Sequence, residues 1–201
     1  LIAFTLLHRK GYFQQHLDAN GGQTEEPQPW SPEKILAKEE PVVRLTVEGR
    51  PVAIRTWRYD LEGVTGHVIP IYFLDTDLEE NDAADRTLTD RLYGGDGDHR
   101  LRQEAVLGMG GARILDALGY QPVVYHMNEG HAALLGLELL RRNAYRPEDI
   151  RPGERAYDLP RVRRRCRFTT HTPVEAGHDR FSYELVARMF AGKTPPIDLT
   201  L

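Results

Sequence analysis

Tyr125 to Leu140 reads Y-H-M-N-E-G-H-A-A-L-L-G-L-E-L-L, and the fold turns on this stretch. Val123 to Met127 is an apolar extended run, Asn128 to Gly130 a short polar turn, and an apolar helical pattern follows. The order predicts a strand that hands over to a helix, the junction at which open α/β sheets place ligands. Between positions 126 and 131 it carries His126, Asn128, Glu129 and His131. Such groups either satisfy the free N–H groups of a helix start or line a site, and the stretch alone supports both readings equally. No H-E-x-x-H or comparable ligand spacing occurs, so no metal site is expected.

Outward from the junction, His131 to Arg142 is apolar nearly all round and is expected to be a buried helix. Upstream, Leu101, Ala105, Met109, Ala112, Leu115 and Leu118 keep a three-to-four spacing that predicts a helix over about 99–118, stopped by Gly119. Gly108, Gly110 and Gly111 inside it each cost roughly 1 kcal/mol relative to alanine, which close approach of helix and sheet would offset. His67 to Leu74 is a β-rich run, so from residue 67 the order is strand, helix, strand, helix, strand, helix. The last strand ends at Phe168 to His171 and the last helix spans about 182–191. Connections this long imply parallel strands with right-handed crossovers.

Towards the N-terminus, Leu1 to Leu7 has the continuous apolar pattern of a strand covered on both faces. Val43, Leu45 and Val47 alternate with polar residues, and Val52 to Trp57 follows Gly49-Arg50, a hairpin signal. Glu25 to Glu40 and Glu79 to Asp90 read as loops, and Thr172 to Glu175 as a capping box with proline at the first helical position. The expected organisation is a β-rich excursion over about 41–75 and an αβ core over about 91–201.

The 201 residues suffice for one domain with a real core. Hydrophobic residues make up 40% and charged residues 28%, an ordinary folded composition. A net charge of −4 gives no reason to expect nucleic acid or an anionic membrane as partner. No apolar run approaches the ~20 residues a membrane helix needs. A single cysteine, Cys166, fits a reducing, cytoplasmic setting. The first residue is leucine, in mid-strand, so the chain is expected to be an internal piece of something longer.

Two further segments stand out. Tyr93 to Asp98 is glycine-rich, contains neither dinucleotide nor P-loop spacing, and suits a gate over a cleft as well as a surface turn. Arg161 to Arg167 holds five arginines in seven residues, a solvated face or a patch for a polyanion or partner subunit.

Six segments resemble, in order, the α-glucan (glycogen or maltodextrin) phosphorylases in their shorter bacterial and archaeal form. They are G-Y-F-Q-Q at 11–15, I-Y-F-L-D-T-D at 71–77, D-R-L-Y-G-G-D at 90–96, R-L-R-Q-E at 100–104, H-M-N-E-G-H-A-A at 126–133 and T-T-H-T-P-V-E-A-G-H-D-R-F at 169–181. The resemblance implies part of the N-terminal Rossmann-like domain of a GT-B glycosyltransferase, with a parallel sheet, flanking helices and an antiparallel β excursion. It implies an intact enzyme that cleaves α-1,4-glucan or maltooligosaccharide ends with inorganic phosphate, uses pyridoxal phosphate and can form a homo-oligomer. His171 would then act at the reacting sugar through its backbone carbonyl and side chain. Tyr93, Gly94, Gly95 and Asp96 would gate the sugar, and Asn128, Glu129, His131 and Thr170 would wall it. The family's cofactor lysine belongs to a C-terminal domain that no part of this chain matches, so cofactor binding is not expected here. Asn143 to Arg165 fits the family poorly, its arginine run standing where a helix is expected. Two other readings remain: a non-catalytic glucan-binding or regulatory module, and a metal-dependent hydrolase built on His126, His131, His171 and His178.

Overall fold

The computed structural model describes residues 1–92, 94–175 and 178–191. Its main sheet has five strands: β1 (Ala3–Leu6), β4 (Ala37–Lys38), β5 (Val43–Val47), β6 (Arg50–Glu62) and β7 (Val68–Asp75). β1 pairs with β7 in parallel, while β6 runs antiparallel to β7, β5 and β4. The β5–β6 hairpin closes on Glu48 and Gly49, both at positive φ (49° and 78°), the backbone that a two-residue turn between right-twisted strands requires. The small, exposed hairpin of β2 (Phe13–Leu17) and β3 (Gln23–Pro27) was not foreseen, because its residues carry no apolar alternation. A second sheet consists of β8 (Tyr125–Asn128) and β9 (Cys166–Thr169), paired in parallel. The parallel strands therefore form two pairs, β1–β7 and β8–β9, and among the described residues no ladder joins β7 to β8.

Between the sheets runs one long helical rod: α2 (Gly97–Ala105), a π-helical turn (Val106–Gly110) and α3 (Gly111–Ala117). Its apolar stripe packs Leu101, Ala105, Met109 and Ile114 against Leu45, Ile54 and Leu74 of the main sheet. Ala112 and Leu115 face the other way, towards Tyr125 of β8, Leu135 and Leu139. Fully burying a side chain such as Leu101 or Ile114 contributes about 1.5–3 kcal/mol. The three glycines occupy the wide π turn and its exit, and at two of them the reason is steric. A Cβ at Gly108 would lie 2.5 Å from the backbone nitrogen of Leu135, and one at Gly110 2.6 Å from Ile54 Cδ1. The expected close approach is present, to a neighbouring helix as well as to the sheet.

The helix after the junction departs from expectation. A short 3₁₀ turn (Gly130–Ala132) precedes α4 (Leu135–Arg142), whose Leu135, Glu138 and Leu139 are buried while its other face is partly open. Glu138 is 0% exposed because Arg113, Arg141 and Arg142 all reach its carboxylate. Desolvation raises its pKa, and the arginines more than reverse this, holding the carboxyl below its ordinary range. Glu79 to Asp90 is also more than a loop. It contains a short helix, α1 (Ala83–Arg86), and Asn81, whose amide bonds Ala53 N, Ala53 O and Thr76 O at 2.7–2.8 Å. The arginine run forms α5 (Leu159–Arg165), capped by Asp158, so a helix occupies the place where the run had argued against one.

Residues 172–174 are not helical, and the Thr172 hydroxyl donates to Glu129. The last helix, α6 (Tyr183–Met189), begins as expected with the Ser182 hydroxyl accepting from Leu185 N. Gly192, its expected stop, lies outside the described residues. No described helix is long and apolar enough to cross a membrane.

Candidate functional site

β8 and β9 run side by side in register, Asn128 opposite Thr169, so the turns at their carboxyl ends emerge together. The ladder extends one residue further through Glu129 N to Thr169 O at 2.8 Å. Glu129 then takes a φ of 64°, a left-handed conformation uncommon for a residue with a side chain. In that position its carboxylate reaches the loop after β9. Oε1 accepts from His171 N (2.6 Å), Thr172 N (3.0 Å) and Thr172 Oγ1 (3.1 Å), and Oε2 accepts from Thr170 Oγ1 (3.0 Å). The His171 amide, then the Thr170 and Thr172 donors, pull the Glu129 pKa down to about 2. Glu129 is thus a permanent anion that sets the backbone of residues 170–172. His171 is left with its ring 53% exposed, 3.8 Å from that carboxylate, and with no hydrogen bond to its carbonyl among the described residues.

Beside this loop lies a pocket of about 600 Å³, lined by the segment 94–97, Arg100, His131, Thr172 and the segment 179–181. Arg100, in the first turn of α2, organises its floor. It donates through Nε to Asp179 Oδ2 at 3.0 Å, through Nη1 to Leu92 O at 3.3 Å, and through Nη2 to His131 Nδ1. A guanidinium is always a donor, so His131 accepts at Nδ1 and keeps its hydrogen on Nε2. Gly95 has a φ of 76°, and a Cβ there would strike the His99 ring at 2.6 Å, so the loop's path requires glycine. Asp96 caps α2 by accepting from His99 N at 3.0 Å.

Glu104 lies behind the pocket's lining, against Arg100 and Asp179. It is 5% exposed, one carboxylate oxygen has no hydrogen-bond partner, and Asp179 lies beside it. Burial first, and then Asp179, push the Glu104 pKa up to about 8. Asp179 is itself desolvated, yet its bonds to Arg100 and Glu104 keep it below the usual carboxylate range. Burial and the neighbouring Asp179 both favour the protonated form of Glu104. Glu104, His131 and Asp179 bring ligand atoms within 4.8 Å of one another. The Arg100 guanidinium already stands among them, so the place a cation would take carries a positive charge.

The structure therefore gathers Gly94, Gly95, Asp96 and His131 around one pocket, with Glu129, Thr170 and His171 forming the adjoining loop. Tyr93 lies outside the described residues. Asn128 is exposed at the end of β8 and bonds neighbours through its backbone. His126 bonds Thr169 Oγ1 at 2.7 Å on an exposed strand face, and the four histidines of the hydrolase reading form no ligand group among the described residues. In the sequence Arg100, Glu104 and Asp179 stand out only as members of the matching segments at 100–104 and 169–181, and Thr172 only as a cap. An i,i+4 Arg–Glu pair reads as helix-surface chemistry until its neighbours are known.

Fold and site together define an α/β module with a polar, arginine-floored cleft at the carboxyl ends of parallel strands, a usual place for a small polar ligand. No family model matches the chain. Among curated proteins it is 40% identical over 199 residues to the maltodextrin phosphorylase of Thermococcus litoralis, an alignment covering 95% of this chain and 23% of that protein. It is 39% identical over 203 residues to the glycogen phosphorylase of Mycobacterium tuberculosis (94% of this chain, 22% of that protein). The glycogen phosphorylase of Aquifex aeolicus matches at 28% over 201 residues (94% and 27%). Over the segment it covers, the chain belongs to the glycogen and maltodextrin phosphorylase family, and it spans about a quarter of these relatives' length.

Proposed function

We propose that this chain is a portion of the N-terminal, Rossmann-like domain of a GT-B α-1,4-glucan phosphorylase that releases glucose 1-phosphate from glucan ends with inorganic phosphate. It would supply part of the sugar cleft. The observation that carries this reading is the meeting of the 94–97 loop, Arg100, His131 and the 170–172 loop at the ends of β8 and β9. These are the segments on which the family resemblance rests. In this reading Glu129 is a positioning residue that aims the free carbonyl and exposed ring of His171 at the sugar. A fixed carbonyl dipole stabilises positive charge developing at the anomeric carbon without reorganising during the reaction. The glycine-rich loop would cover the cleft and exclude water, and His131, held by Arg100, would offer Nε2–H to a sugar oxygen.

Pyridoxal phosphate would supply acid–base chemistry at the attacking phosphate in the intact enzyme. The described residues of this chain do not fit that cofactor. Lys10 is paired with Asp90 at 2.6 Å, Lys34 and Lys38 are exposed, and none lines the pocket. The single cysteine supports a reducing, cytoplasmic setting for the intact protein. The decisive experiment is phosphorolysis: the intact protein that contains this segment, incubated with maltodextrin and inorganic phosphate, is expected to release glucose 1-phosphate. Its His171→Ala variant should lose at least tenfold in kcat. An intact protein with bound cofactor and no glucose 1-phosphate release would refute the reading.

A further inference from the structure

Residues 141–167 hold ten arginines and four carboxylates in a chain whose net charge is −4. Four of these arginines have work within the fold. Arg141 and Arg142 reach Glu138, Arg165 bonds Pro122 O and lies over the Tyr125 ring, and Arg167 bonds the carbonyls of Arg164 and Cys166. The other six, Arg146, Arg151, Arg155, Arg161, Arg163 and Arg164, are exposed, and their side chains make no hydrogen bond or ion pair among the described residues. The carboxylates of the segment do not neutralise them. Asp158 caps α5 through Arg161 N, Glu154 accepts from Arg151 N, and Glu148 and Asp149 sit in a separate 3₁₀ turn.

The backbone makes the crowding specific. Ala144 and Tyr157 form an antiparallel bridge, flanked by Tyr145 N to Ala156 O and Asp158 N to Asn143 O, both 2.9 Å. Arg146 and Arg155 are the next residues along from the Tyr145–Ala156 hydrogen bond, so their guanidiniums leave neighbouring stretches of backbone, and like charges so placed repel. The loop around this pair is polar and open, with no packing of its own that would require two guanidiniums there. A bound anion would turn the repulsion into attraction. A carboxylate presents one edge of two oxygens and matches one guanidinium fork, whereas a phosphate has enough oxygens to accept forks from both sides. Arg161 and Arg164, at i and i+3, project from one side of the adjoining helix and continue the positive surface. The surface is separate from the pocket. α5 enters β9 at its amino end, and four strand residues, about 13 Å, lie between it and the 170–172 loop.

We infer that Arg146 and Arg155, extended by Arg161 and Arg164, bind a ligand carrying two or more linked phosphate groups. The inference is independent of the proposed reaction, because none of these residues belongs to the pocket.

Titration calorimetry on the chain at ~0.15 M salt, where charges beyond about 8 Å are screened, tests it with three probes: tripolyphosphate, inorganic phosphate and polyglutamate. Tripolyphosphate is expected to bind one-to-one and at least tenfold more tightly than inorganic phosphate or polyglutamate. Arg146→Gln/Arg155→Gln should weaken it at least tenfold and Arg161→Gln/Arg164→Gln several-fold, with thermal unfolding unchanged because these side chains make no contacts. Arg44→Gln, which removes an exposed arginine paired with Glu80, should leave binding intact. No tripolyphosphate binding, binding indifferent to the Arg146/Arg155 double substitution, or equal affinity for polyglutamate would each overturn the inference. The last outcome would mark the surface as a dock for an acidic protein.

Discussion

Replacing Glu104 by glutamine should remove one identifiable component of the pH dependence of stability. Unfolded, the carboxyl titrates near its ordinary value of 4.5; folded, burial and Asp179 carry it to about 8. Between those values the folded chain keeps a proton that the unfolded chain has released, so stability falls as pH rises through the window. At about 1.4 kcal/mol per pH unit the ceiling is about 4–5 kcal/mol. Relaxation of the folded chain around a charged carboxylate screens part of this, so we expect about 2–4 kcal/mol. Glutamine keeps the volume and can donate an N–H to Asp179 at every pH. Other groups titrate in the same window, among them His8 and His99, whose pKa values burial lowers. The quantity to measure is therefore the difference between wild type and Glu104→Gln. Urea unfolding followed by tryptophan fluorescence at pH 5 and pH 8.5 supplies it. Wild type should lose about 2–4 kcal/mol more than the variant across that interval. If the two lose the same amount, Glu104 is ionised throughout and burial beside Asp179 does not hold its proton.

Three other outcomes are expected. Glu129→Ala should leave the amides of His171 and Thr172 without their acceptor and raise their hydrogen-exchange rates at least tenfold; because the Glu129 pKa lies near 2, wild-type protection there should hold to about pH 3 and fall only below it. Gly108→Ala, whose Cβ would meet backbone at 2.5 Å, should destabilise by about 1–3 kcal/mol in denaturant titration, and Gly110→Ala by less, since the Ile54 methyl it meets can move. Glu138→Gln, which leaves three arginines around a neutral group, should destabilise by about 3–5 kcal/mol in the same assay.

The periodic elements were legible because burial imposes their period. The stripe from Leu101 to Leu118 located the long helix, and the alternation from Val43 to Val47 located the hairpin. Patterns without periodicity were misread. The β2–β3 hairpin is exposed on both faces and so leaves no apolar trace. At Thr172 to Glu175, which has the composition of a capping box, the Thr172 hydroxyl donates to Glu129, a partner distant in sequence that composition does not reveal. His131 to Arg142 reads as apolar nearly all round, yet Glu138 is buried within it, because Arg113 of another helix joins Arg141 and Arg142 at its carboxylate.

For the site, sequence alone determined which segments matter. The polar junction after Val123 to Met127, the glycine-rich loop and T-T-H-T-P were each visible as local breaks in apolar runs. Tertiary structure decided what each residue does. Glu129 became the anchor of the 170–172 loop only because β8 and β9 pair in register, and Arg100 became the hub of the pocket only because the first turn of α2 meets His131 and Asp179. Local composition records where backbone must turn and where side chains must be buried, since those constraints act within a few residues. Hydrogen bonds between residues forty or eighty positions apart leave no such record, and it is these that assign the roles.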